Sequence, residues 1–168
     1  MEYKKKVLMI GVSAVGKTSL VRRYVSSLFS DSYLTTVGVK VDKKMVGIGP
    51  DQVMMALWDI YGRDDFQELR ASTLSGASGY LLVADGTRKL TLDSALDLHE
   101  RIQKMLGPTP AVLVLNKCDL ATDWEVTPEV DENLKTRGWN PVRSSAKTGE
   151  GVEEAFATLA GMMIGQAE

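Results

Sequence analysis

Residues 11–18 read Gly-Val-Ser-Ala-Val-Gly-Lys-Thr and satisfy the phosphate-loop pattern G-x-x-x-x-G-K-[ST]. Glycine at positions 11 and 16 lets the backbone turn so that successive N–H groups point inward at a phosphate, at the start of a following helix. Lys17 would add a cation for the outer phosphates, and the Thr18 hydroxyl would be an oxygen ligand for Mg²⁺. The predicted phosphate-binding residues are Ser13, Ala14, Val15, Gly16, Lys17, Thr18 and Ser19.

Two further residues could act on the phosphates from a second side. Asp59 follows the apolar run 53–58, where an aspartate can hold Mg²⁺ through water, and the Gly62 N–H can reach a γ-phosphate. The phosphate loop alone fits kinases, ATPases and GTPases. These residues therefore predict triphosphate chemistry without yet selecting the nucleotide.

The base is selected by the run Asn116-Lys117-Cys118-Asp119 at the end of a predicted central strand. A carboxylate at position 119 can accept from the N1–H and the exocyclic amino group of guanine together, whereas adenine offers no such donor pair. A buried acceptor without donors is costly, so Asp119 would penalise the wrong base. The residues Ser145, Ala146 and Lys147 follow the last predicted strand and could close the base pocket from the other side.

The elements that must position these residues alternate between strand-like and helix-like runs, which predicts an α/β sheet with helices on both faces. Apolar runs such as 80–84 and 111–115 are typical of central parallel strands. The alternation over 37–41 favours an edge strand, and the turn residues at 47–51 should close a hairpin onto the next strand. The predicted strands cover about residues 4–10, 37–46, 53–58, 80–84, 111–115 and 139–143, and the predicted helices 17–27, 91–106, 127–137 and 149 onwards.

Two apolar helix patterns carry alternative interpretations. His99 lies on the apolar stripe of the 91–106 helix, where a half-buried, hydrogen-bonded histidine is expected rather than a catalytic one. On the last helix, Met162 and Ile164 are expected to face outward, as ordinary exposed residues or as a docking patch.

The bulk composition fits a single domain covering residues 1–168. Twenty basic against 22 acidic residues give a net charge of −2, which gives no reason to expect nucleic acid as a partner. One cysteine and one histidine exclude an internal disulfide and the usual zinc sites, so a reducing compartment, the cytoplasm, is expected. No signal peptide, spanning segment or lipidation motif is found, so we expect no direct membrane anchor.

The motifs G-V-S-A-V-G-K-T, T-V-G, W-D-x-x-G, N-K-C-D and S-A-K, in this order and spacing, resemble the small GTPases of the Ras superfamily. Ser13, the Leu57-Trp58 pair, T-V-G at 36–38 and Asp85-Gly86-Thr87-Arg88 are most similar to the Rab branch. The resemblance implies a doubly wound, three-layer P-loop domain with a six-stranded, mostly parallel sheet, one antiparallel edge-side strand and five helices. It also implies GTP or GDP with Mg²⁺ as ligands, two mobile switch segments, and effector, exchange-factor and GTPase-activating proteins as partners. We expect a monomer.

The resemblance carries three more residues to the site. Phe29 corresponds to the residue that stacks on the base, Tyr33 to the lid over the phosphates, and Thr36 to the second Mg²⁺ ligand. The predicted metal ligands are then Thr18, Thr36 and Asp59. Phe29 could instead be plain core, Thr36 a turn residue, and Asn116 and Ser145 local caps.

The second switch departs from the family pattern D-T-A-G-Q, because this chain reads Asp59-Ile60-Tyr61-Gly62-Arg63. The family's glutamine orients the attacking water, and Arg63 has five donors but no acceptor, so it cannot align the water in that way. Arg63 could stabilise charge on the γ-phosphate, or it could pair with Asp64 or Asp65 on the surface. Arginine here also resembles Roc domains, and with no lipid-acceptor tail this points to a prokaryotic or otherwise unlipidated GTPase.

These observations predict a molecular switch that hydrolyses GTP slowly unless assisted, with Lys17, Thr36, Gly62 and Arg63 at the γ-phosphate. Bound GTP would order segments near 30–40 and 59–72, and partners would read a surface that includes Trp58, Phe66 and Leu69. The alternative is a guanine-nucleotide-binding interaction module that does not hydrolyse GTP. An ATP-using phosphotransferase is disfavoured by Asp119.

Overall fold

A seven-stranded sheet organises the part of the chain that a computed structural model describes, which is residues 1–12, 14–25, 33–34, 39–60 and 71–165. Five α-helices and a short 3-10 helix (Ala121–Asp123) belong to the same described residues. The elements in chain order are β1 (Glu2–Ile10), α1 (Lys17–Val25), β2 (Tyr33–Leu34), β3 (Val39–Ile48), β4 (Asp51–Ile60), α2 (Ala71–Leu74), β5 (Gly79–Asp85), α3 (Lys89–Leu106), β6 (Ala111–Asn116), α4 (Pro128–Thr136), β7 (Val142–Arg143) and α5 (Val152–Met163).

The strand order is β2-β3-β4-β1-β5-β6-β7. β1 lies in the middle and pairs in parallel with both β4 and β5, and β6 and β7 continue the parallel part. β3 is antiparallel to both β2 and β4, so within the described sheet it alone runs against the others. The carboxyl ends of β1, β4, β5 and β6 therefore meet at one edge, on either side of the point where the strand order reverses. Doubly wound sheets bind their ligands at such an edge.

Side chains of the central strand β5 show how the two faces of the sheet are filled. All seven residues of β5 are buried, as expected for a parallel strand covered on both faces. Successive side chains point to opposite faces. Leu81 and Val83 join a core cluster with α1 and α5, whereas Tyr80 and Leu82 join a second cluster with α3.

The fold class predicted from the sequence is confirmed. The sheet is mostly parallel with one antiparallel strand, and five helices accompany it. Beyond the six predicted strands, Tyr33 and Leu34 form a two-residue strand that pairs with Val41 and Lys40. β3 is therefore not an edge strand over those two residues. A strand of only two residues is too short to show the alternation of apolar and polar residues from which a strand is predicted.

Some predicted boundaries and faces differ from the structure. β7 is only Val142–Arg143, and α5 begins at Val152 rather than near 149. Met162 and Ile164 are partly buried against the α1–α5 core cluster, so the prediction that they face outward is wrong. Both lie at the end of α5, where the chain still packs against the sheet.

Two local predictions are confirmed. The Thr127 hydroxyl caps α4 by accepting from the Val130 N–H at 3.3 Å, ahead of proline at the first helical position. His99 is half-buried, and its Nδ1 lies 2.7 Å from the Tyr80 hydroxyl. None of the described helices combines the length and apolarity needed to cross a membrane.

Candidate functional site

The phosphate-loop segment connects the end of β1 to the start of α1, and its two glycines are required by close contacts. A Cβ on Gly11 would collide with the Val83 carbonyl oxygen. A Cβ on Gly16, whose φ is +101°, would collide with Asn116 Nδ2. Both contacts would fall well inside van der Waals distance, so the loop can follow this path only with glycine at these positions.

Lys17 is the first residue of α1, and its ammonium group lies over the loop because it donates to the Gly11 carbonyl at 2.5 Å. Val15 is fully buried and fixes the loop to the core, while Ala14 is exposed in the left-handed region at φ +64°. Ser19 is exposed on the first turn of α1. The structure therefore brings the predicted residues 14–19 together at the helix N-terminus, the place where backbone N–H groups favour an anion.

Thr18 and Asp59 come from α1 and β4 and meet directly. The Thr18 hydroxyl donates to Asp59 Oδ2 at 2.6 Å, and Asp59 is completely buried near the end of β4. The second oxygen, Oδ1, is also buried and accepts no hydrogen bond from the described residues. A buried carboxylate oxygen without a donor is costly, and a divalent cation would satisfy it.

The direction of the Asp59 pKa shift agrees with this interpretation, because the buried carboxyl is short of compensating positive charge. Burial raises the pKa of its carboxyl above the ordinary value, and the Thr18 hydrogen bond and the Lys17 charge oppose the rise only in part. Carboxylate and hydroxyl oxygens are the donors that Mg²⁺ takes. The Thr18 and Asp59 side chains therefore fit a magnesium site.

Asn116 and Lys117, at the end of β6, hold two consecutive carbonyls of the phosphate loop. Asn116 Nδ2 donates to the Val15 carbonyl at 2.8 Å, and Lys117 Nζ donates to the Ala14 carbonyl at 2.9 Å. Sequence reasoning placed both residues with the base. In the structure their side chains set the position of the loop that faces the phosphates.

Two buried residues that the sequence analysis gave no role hold these two side chains in turn. Ser144 donates its hydroxyl to Asn116 Oδ1 at 3.0 Å, and Asp85 Oδ2 lies 3.0 Å from Lys117 Nζ. Ser144 is fully buried and Asp85 is 2% exposed. Only their positions in the sequence could have indicated these roles. Asp85 is the last residue of a central strand, and Ser144 directly precedes Ser145.

The predicted base-binding residues lie on the two loops after β6 and β7. The Ser145 hydroxyl donates to Asp119 Oδ1 at 2.7 Å and accepts from the Thr148 N–H at 3.1 Å. Ser145 is buried, whereas Asp119 is exposed and accessible to a ligand. Ala146 packs against the core, and Lys147 is exposed. Asp119 is thus held in orientation by a residue of the opposite loop.

The remaining predictions fall wholly or partly outside the described residues. Ser13, Phe29, Thr36, Gly62 and Arg63 lie outside them. Tyr33 is described only as part of β2. The roles predicted for these residues stay predictions.

The fold and the site together define a class of protein, a P-loop nucleotide-binding domain. Its phosphate loop lies at the switch point of a doubly wound sheet, with a hydroxyl–carboxylate pair beside the loop and an Asn-Lys-Cys-Asp run beneath it.

Comparison with known proteins identifies the family. The sequence model of the Ras family matches residues 6–164. The chain is 32% identical over 162 residues to "Ras-related protein Rab-1" of Theileria parva, which covers 95% of this chain and 74% of that protein. It is 32% identical over 168 residues to "Ras-related protein Rab-21" of Mus musculus (99% and 76%), and 36% identical over 171 residues to "Ras-related protein Rab-32" of Mus musculus (97% and 77%).

The chain therefore belongs to the Ras family of small GTPases and is Rab-like. Membership implies guanine-nucleotide binding, GTPase activity, the general behaviour of a molecular switch, and regulator and effector proteins as partners.

Proposed function

We propose that this protein is a Mg²⁺-dependent GTP switch whose unassisted hydrolysis is slow, and that it signals through the segments near 30–40 and 59–72. GTP, Mg²⁺ and the γ-phosphate contacts of Thr36 and Gly62 would hold these segments in one arrangement. Loss of the γ-phosphate would release them. Effectors would then distinguish the two states on a surface that includes Trp58.

The contact between Thr18 and Asp59 carries the proposal. It joins the phosphate loop to the end of β4, the strand that leads directly into the 59–72 segment. Thr18 and Asp59, with Thr36, would hold the metal, and bound Mg²⁺ would neutralise charge on the outer phosphates. Loss of the γ-phosphate would therefore change the metal contacts of Asp59 and, with them, the conformation at the start of that segment.

Slow hydrolysis follows from the residue at position 63. A glutamine can accept a hydrogen bond from the attacking water while donating to the γ-phosphate, whereas Arg63 can only donate. A partner that supplies the missing acceptor would accelerate the reaction. We further propose a cytoplasmic location, supported by the single cysteine, and a monomeric state.

The experiment begins with the nucleotide that copurifies with the protein, released by denaturation and identified by chromatography. A single-turnover time course with GTP and Mg²⁺ then measures hydrolysis, with Lys17→Ala as the variant that should lose it. Chelation of Mg²⁺ should speed nucleotide release. Guanine nucleotide with slow turnover above background supports the proposal, and GTP binding without turnover would support the non-hydrolysing module instead.

Arg63→Gln and Arg63→Ala separate the possible roles of the arginine, with the exposed Arg22→Gln on α1 as the matched control. We expect a faster rate with glutamine, because an acceptor for the water is restored. A slower rate in both variants would instead assign Arg63 to charge stabilisation at the γ-phosphate. The Arg22 variant should hydrolyse GTP like the unmodified protein.

A further inference from the structure

The Asp85 carboxylate is a buried centre of four hydrogen bonds at the end of β5. Oδ1 accepts from the Thr87 N–H at 2.9 Å and from the Thr87 hydroxyl at 2.6 Å. Oδ2 accepts from Arg88 Nε at 3.2 Å and from Lys117 Nζ at 3.0 Å. The two oxygens therefore make different contacts. Oδ1 binds the local turn through Thr87, and Oδ2 also binds Lys117, which follows the neighbouring strand β6.

Lys117 continues the connection from Asp85 to the phosphate loop. The same ammonium group that contacts Asp85 donates to the Ala14 carbonyl at 2.9 Å, and its side chain is 34% exposed. The Lys117 backbone is in the left-handed region at φ +69°, which turns the chain sharply as it leaves β6. An ammonium on a flexible stem keeps such a position only when fixed acceptors hold it.

We propose that Asp85 is a positioning residue that slows the release of bound nucleotide by holding Lys117 against the Ala14 carbonyl of the phosphate loop. The inference rests on the proposed function, because it concerns the nucleotide that this loop would hold. Asn116 holds the neighbouring Val15 carbonyl in a similar way. We call these two hydrogen bonds, to the consecutive carbonyls of Ala14 and Val15, the tethers of the loop. Weakening one tether would let the loop open more often and release the phosphates that it holds.

The charge of Asp85 is maintained in its buried position. Burial by itself would raise the pKa of this carboxyl, but the hydrogen bonds from Thr87, Lys117 and Arg88 together lower it below its ordinary value. The bond to Lys117 is therefore charge-assisted, the stronger class of hydrogen bond.

The rival interpretation is that Asp85 only stabilises the turn at 85–88. Asp85→Asn separates the two, because an asparagine Oδ1 can still accept from Thr87 while its amide nitrogen replaces Oδ2 and offers no acceptor to Lys117. The matched control is Asp93→Asn on α3, where the exposed carboxylate pairs with the neighbouring Lys89 at 3.4 Å.

The measurement is the dissociation rate of a fluorescent GDP from the Mg²⁺-loaded protein, chased with excess unlabelled GDP. We expect Asp85→Asn to raise this rate about tenfold, which corresponds to about 1.4 kcal/mol, and Asp93→Asn to leave it unchanged. In a Lys117→Met background, Asp85→Asn should add nothing, since the residue through which it acts is already gone. Circular dichroism melts show whether each variant is folded.

Two results would overturn the inference. One is an unchanged rate in folded Asp85→Asn, and the other is an equal fold-increase in the presence and absence of Lys117, which a merely structural role predicts. If Asp85→Asn does not fold, Lys117→Met by itself removes the ammonium group that Asp85 is proposed to hold, and an unchanged rate there overturns the inference as well. A wild-type protein that binds no guanine nucleotide would refute the proposed function instead.

Discussion

The amide nitrogen of Asn116 donates a 2.8 Å hydrogen bond to the carbonyl of Val15, and the same nitrogen lies too close to Gly16 to leave room for a Cβ there. The contact joins residues that are 101 positions apart. It places the end of β6 directly beneath the phosphate loop, so the loop takes its shape from the neighbouring strand as well as from its own glycines.

Gly16→Ala should therefore abolish nucleotide binding, because the new Cβ would collide with Asn116 Nδ2. Gly76→Ala is the matched control, since φ at Gly76 is +78° but a Cβ there would meet no described atom within 4 Å. Backbone strain alone costs about 1–2 kcal/mol of stability and is common to both variants. Isothermal titration with GDP measures the difference, and binding retained in Gly16→Ala would contradict the expectation.

Ser145→Ala should weaken GDP binding roughly fivefold, the equivalent of one ordinary hydrogen bond. The Ser145 hydroxyl orients the Asp119 carboxylate at 2.7 Å, and its loss leaves Asp119 to sample positions that do not match the base. Competition binding with GDP and ADP measures affinity and selectivity together, with the exposed Ser75→Ala as control. Unchanged GDP affinity would mean that Asp119 needs no such support.

The sequence predicted the fold, and it predicted which residues the structure brings together at the N-terminus of α1, because both depend on local patterns. An apolar run such as 80–84 identifies a buried central strand even when the neighbouring strands are unknown. Gly11, Gly16, Lys17 and Thr18 form a local motif, and the spacing of these residues determines the shape of the loop. The close contact of Thr18 with Asp59 also agrees with their predicted shared role as metal ligands.

The tethers beneath the loop could not be predicted in the same way. The contact of Lys117 with Asp85 depends on the register of β5 against β6, in which Asp85 lies directly opposite Asn116. That register places two strand ends from different parts of the sequence side by side. Likewise, Met162 and Ile164 could be assigned to a face only after the end of α5 was known.

Phe156→Ala should destabilise the protein by about 3–5 kcal/mol, the usual cost of removing a buried aromatic ring. Phe156 is fully buried on α5 and stacks on Tyr24 of α1, with ring centroids 3.9 Å apart. Urea denaturation at a fixed GDP concentration measures the loss, because bound nucleotide adds to stability. The exposed Thr158→Ala on the same helix should change stability by less than about 0.5 kcal/mol, and a loss below about 1 kcal/mol in Phe156→Ala would contradict the packing argument.

His99 should titrate below the ordinary histidine pKa of 6.5, because its half-buried ring is desolvated, although the nearby Glu100 works in the opposite direction. Gln103 Nε2 donates to the Tyr80 oxygen at 2.7 Å, which leaves the Tyr80 hydroxyl proton for His99 Nδ1, so charging the imidazole would place N–H against O–H.

The consequence for stability follows from that direction. Below pH 6.5 the histidine of the unfolded chain becomes protonated, whereas His99 of the folded protein stays neutral. The free energy of unfolding therefore falls as the pH drops toward the folded pKa of His99, by at most about 1.4 kcal/mol per pH unit. Since this is the only histidine in the chain, its imidazole resonances give the pKa directly by NMR. His99→Gln should lose less stability than the unmodified protein between pH 7 and pH 5.5, and a measured pKa at or above 6.5 would refute the expectation.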